Sequence, residues 1–154
     1  MAAANSVSPP TVPGAASHPR RTLRRVGAVL AGLVVIVVLS VGTDSLMHAS
    51  GVFPPYGQPM ADLLFALATV YRIVYGIAGS YVAARLAPDR PMRPALALGA
   101  IGVVISTAGA VATWGRGPEF GPAWYALAII AISIPCAWVG GWLYTRRLDT
   151  RTRA

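Results

Sequence analysis

A chain of 154 residues that is 55% hydrophobic and 12% charged, yet carries a formal charge of +8, does not read as a soluble domain. All 13 basic residues are arginine, which excludes Schiff-base chemistry and a lysine general base. The single cysteine, Cys136, excludes an internal disulfide or a CxxC redox pair. The positive charge flanks apolar runs, a placement that fits a membrane surface and not nucleic acid.

Residues 1–19, rich in Ala, Ser, Pro and Thr and without apolar periodicity, are expected to form a disordered cytoplasmic tail. Arg20, Arg21, Arg24 and Arg25 then precede an uninterrupted apolar run from Val26 to Val41, enough with its flanks to cross about 30 Å of hydrocarbon. This predicts a first transmembrane helix over residues 26–46. Arg20-Arg21-Thr22-Leu23 ahead of an apolar core also resembles a signal peptide, but no clear A-x-A site follows, so the segment is expected to be retained.

The stretch from Thr43 to Pro59 holds no basic residue except His48, and its prolines and glycines forbid a regular helix beyond Gly51. It is expected to lie on the membrane surface, with Phe53 and Tyr56 in the interfacial zone. A second helix is predicted over residues 60–86, with Asp62 in its first turn, where the helix dipole favours a carboxylate. Arg85, Arg90 and Arg93 mark a basic turn bracketed by Pro88 and Pro91.

The third helix, 94–114, carries Gly99, Gly102, Ser106, Gly109 and Thr113 along one narrow stripe, the signature of a close helix contact. The fourth, 123–145, has a small face of Ser133, Ala137 and Gly141, and Pro135 is expected to kink it. Trp114, Trp124 and Tyr125 read as one aromatic belt, and Trp142 with Tyr144 as the other. The fold class is therefore all-α, a polytopic four-transmembrane-helix bundle over residues 20–147, closed by a basic tail over 148–154. Eleven arginines fall on the side of the termini and the 85–93 turn, against Arg116 alone in the other loops. That asymmetry predicts cytoplasmic termini and a multi-pass protein of an inner or plasma membrane.

Arg72 stands apart, because it sits in the middle of the apolar run from Leu63 to Ala84. An arginine at the centre of a membrane helix costs about 2.5–3.5 kcal/mol on insertion scales, so it should face protein and have a partner. At 100° per residue, Phe65, Ala68, Gly76, Gly79 and Ala83 fall within about 40° of it, whereas Leu63, Leu67, Val70, Val74, Ile77 and Tyr81 fall on the far side. The guanidinium thus points toward other helices.

Its expected counter-charge is Asp44, a carboxylate near the end of the first helix where the dipole alone disfavours it. Tyr71 and Tyr75 flank the guanidinium as ring or hydroxyl contacts, completing an intramembrane polar site. His48, Asp62 and Glu119 are expected at an external mouth. Asp44 and His48 share a helix face, yet a metal would need a further donor such as Glu119, and no HxxxH or HxxE pattern accompanies them. No metal or cofactor is expected. Ser45 and Ser50 lack a nucleophile-elbow context and no glycine-rich phosphate loop is present, so no catalytic residue is assigned and the chain does not read as an enzyme.

The segment from Thr43-Asp44 through Gly51-Val52-Phe53-Pro54-Pro55, then Gln58-Pro59-Met60, Asp62 and Tyr71-Arg72, resembles a pattern of small bacterial four-helix integral membrane proteins with no assigned activity. The resemblance spans residues 40–144, implies the four-helix architecture, and transfers no catalytic or binding residue. The lack of lysine and the arginine, alanine and proline bias also resemble the coding of a high-GC bacterial genome. The first expectation for function is a structural or accessory membrane protein whose buried Arg72 ion pair fixes helix packing. The alternative is a small transporter or channel-like protein that binds an anion or relays protons at Arg72 below an Asp44/His48 mouth. The lipid bilayer is the expected partner, with a second copy or another membrane protein as the compatible protein partner and no nucleic acid.

Overall fold

A computed structural model describes residues 18–152. Its order is α1 (His18–Ala49), α2 (Asp62–Leu86), α3 (Met92–Thr113), a short 3₁₀ turn (Pro118–Phe120) and α4 (Ala123–Thr152). Each of the four long helices has the length and apolar composition to cross a membrane, and no strand occurs among the described residues. The tail expected over 1–19 lies outside the described residues, except that α1 already begins at His18. Residues 148–152, taken as tail, continue α4, which runs through Pro135 as one helix. At 1.5 Å per residue α1, with 32 residues, is roughly 48 Å long, more than a bilayer core of about 30 Å requires.

The helices pack with α2 between α1 and α4, and α3 set mainly against α4. What they bury is small. Ala68, Ala83, Ala84, Ala95 and Ala137 are buried, while Leu63, Val70, Val74, Val104 and Val111 project outward. Leu63 is 79% exposed and Ala83 0%, an inversion of the soluble pattern that is compatible with a lipid-like surrounding. Small residues let backbones approach. A Cβ placed on Gly140 of α4 would stand 2.7 Å from the Ser80 side chain and 2.9 Å from the Tyr81 amide of α2. In the α3 stripe only the first half meets α4: Gly99 abuts Ala137 and Gly102 abuts Ser133, whereas Gly109 has nothing within 4 Å and the Thr113 hydroxyl donates to the Gly109 carbonyl of its own helix at 2.9 Å. The expected contact therefore fails toward Thr113, where Gly109 is exposed.

Opposite ends of the bundle differ. At one end Arg25 meets Asp89 at 3.2 Å, tying the start of α1 to the α2–α3 turn, and Arg147 donates to the Tyr81 hydroxyl at 3.0 Å. This is the arginine-rich end. At the other, Gly51 adopts φ +75, which a glycine takes without Cβ strain and which ends α1. The chain then folds back, with the Phe53 amide donating to the Met47 carbonyl at 3.0 Å. Phe53 was expected in the interfacial zone. It is instead 4% exposed, packed against Ala68 and Tyr71, so the loop closes over the helix ends and does not lie flat.

Candidate functional site

In the half of the bundle nearer that loop, α1 supplies Thr43 and Asp44, α2 supplies Tyr71, Arg72 and Tyr75, and α4 supplies Tyr125. Arg72 donates through Nη2 to Asp44 Oδ2 at 2.7 Å and through Nη1 to the Tyr125 hydroxyl. The Tyr71 hydroxyl donates to Asp44 Oδ1, the other carboxylate oxygen. One turn along α2, the Tyr75 hydroxyl bonds the Thr43 hydroxyl at 2.8 Å. The guanidinium carbon lies 6.0 Å from the Tyr71 ring centre and 5.6 Å from that of Tyr125, so aromatic faces flank the charge as well.

Asp44 and Arg72 are brought together, but the pair is not buried: their side chains keep 26% and 30% of their exposure. Two cavities share Arg72 in their walls. A cavity of about 180 Å³ opens at the loop end and is walled by Asp44, His48, Gln58, Arg72, Glu119 and Tyr125. A second, of about 140 Å³, lies deeper between the helices, with Arg72 in its wall beside Ser40, Ser80, Ser106 and Ser133, one serine from each long helix. Ser133 donates to the Ile129 carbonyl of its own helix at 2.8 Å. Ser80 is 2% exposed. Cys136 lines the same space, its sulfur 3.8 Å from where a Cβ on Gly76 would stand.

The mouth residues behave differently from one another. His48 lines the outer cavity with Asp44 but makes its contacts elsewhere: His48 Nδ1 donates to the Pro54 carbonyl at 2.7 Å, and its ring centroid lies 5.4 Å from that of Phe53 and 3.9 Å from that of Tyr56. These contacts tie it to the fold-back loop. Asp62 is exposed at the first turn of α2, makes no capping hydrogen bond and lines neither cavity. Glu119 lines the outer cavity and forms no ion pair among the described residues. Counting Asp44, Arg72 and Glu119, that cavity carries a formal charge of −1. The one arginine in its wall is paired with Asp44, so the excess charge is that of Glu119.

Tyr125 is the residue that sequence reasoning misplaced. It bonds Arg72 and lines the outer cavity, whereas Trp124 beside it points outward. Helical phase carried the signal: Ile129, Ile132 and Cys136 follow Tyr125 at four, seven and eleven residues, and all three line the inner cavity. Compared with known proteins, the chain matches no family model, no curated protein and no solved structure.

Proposed function

We propose that this is a small multi-pass integral membrane protein of structural or accessory type, in which the Arg72 cluster fixes the packing of α1, α2 and α4. The carrying observation is that one guanidinium bonds two other helices, Asp44 of α1 and Tyr125 of α4, while Tyr71 takes the remaining carboxylate oxygen. A charge at this depth is tolerated when its donors are used by protein, and such inter-helix bonds contribute about 0.6–2 kcal/mol each. The arginine asymmetry supports an orientation with the arginine-rich end and both termini in the cytoplasm of an inner or plasma membrane. Reporter fusions at the C-terminus and within 85–93 should read cytoplasmic, and fusions within 48–58 and 116–120 external; an external C-terminus would overturn this orientation.

The two cavities that share Arg72 favour a second reading, a small transporter or channel-like protein relaying protons past Asp44 and Glu119. The negative formal charge of the mouth argues for protons or cations there over anions. Reconstitution into vesicles containing a pH-sensitive dye separates the two. The structural reading expects proton flux at the level of protein-free vesicles, whereas flux abolished by Asp44→Asn would replace it with transport.

A further inference from the structure

At the arginine-rich end an apolar groove of about 440 Å³ runs between α1 and α3, floored by Val26, Leu30, Ala97 and Ile101 and closed at its end by Arg25 and Arg93. In a soluble protein such a groove would be a liability; against a bilayer it faces acyl chains. Its two halves differ in chemistry. The apolar walls match a hydrocarbon chain, and the arginines stand where the run of apolar residues stops, at the depth of headgroups. Arg25 spends one donor on Asp89 at 3.2 Å, which leaves the rest of its fork free, and Arg93 is exposed with no ion pair among the described residues. We infer that this groove holds one anionic phospholipid of the cytoplasmic leaflet, an acyl chain between α1 and α3 and the phosphate on Arg25 and Arg93. Arginine presents a planar fork that matches phosphate oxygens bidentately, and the negative cytoplasmic leaflet supplies such lipids at this end.

The inference rests on the proposed orientation, whose own failure would appear separately in the reporter fusions. Its test is native mass spectrometry of protein extracted from membranes and exchanged into vesicles of equal phosphatidylglycerol and phosphatidylcholine. The wild type should retain one phosphatidylglycerol in preference to phosphatidylcholine. Arg93→Gln, which breaks no ion pair, should weaken that retention roughly fivefold, and Arg25→Gln/Arg93→Gln further. Ala97→Phe fills the groove without changing charge and should displace the lipid as well. Equal retention of the two lipids by the wild type would overturn the inference. So would unchanged retention in Ala97→Phe, which would reduce the effect to a diffuse basic surface with no groove.

Discussion

Gly32 of α1 and Gly79 of α2 meet backbone to backbone: a Cβ built on either would stand 2.6 Å from the carbonyl oxygen of the other. No side chain can yield there, so the helices would have to part. Gly79→Ala should lower stability by about 1–3 kcal/mol, as overpacking does. Gly109→Ala, with nothing within 4 Å, is the internal control and should leave the thermal midpoint in detergent unchanged. Equal midpoints for the two variants would refute the close crossing.

The Arg72–Asp44 pair should show coupling in a double-mutant cycle. Asp44→Asn leaves a guanidinium without its counter-charge, while Arg72→Leu removes the cation and leaves a carboxylate that still faces the outer cavity. The first should be the more destabilising. Adding Arg72→Leu to Asp44→Asn should recover stability, with a coupling on the order of 1 kcal/mol. Strict additivity in thermal unfolding would mean that the two charges do not interact.

Tyr125→Phe keeps the ring over Arg72 and deletes only the hydroxyl acceptor, so the loss should be about 0.5–1.5 kcal/mol. Trp124→Phe, one residue away on the outward face, should be close to neutral by the same thermal assay. A reversal of that order would refute the Arg72–Tyr125 bond as a packing contact.

His48→Ala should act locally. Removing the donor to the Pro54 carbonyl frees the fold-back loop, so amide exchange across residues 50–58 should quicken while α2 and α4 keep their protection. Protection lost throughout the bundle would assign His48 a global role.

Hydropathy and arginine placement sufficed for the class, four long apolar helices, because insertion depends on the summed transfer cost of a contiguous run and needs no partner. The inward face of α2 was largely legible: Phe65, Ala68, Gly79 and Ala83 are buried where a 100° step puts them, and Gly76 is half-buried. Helix ends were less so, since polar flanks such as 18–25 and 146–152 stay helical beyond the apolar core. Phase within one helix is local and readable, but which faces of different helices meet is not. Tyr125 reaches Arg72, Gly32 finds Gly79, and serines from four helices gather around one cavity only once the relative rotation and tilt of all four are set. Those are decided by close packing of small residues far apart in the chain, and so by the tertiary structure alone.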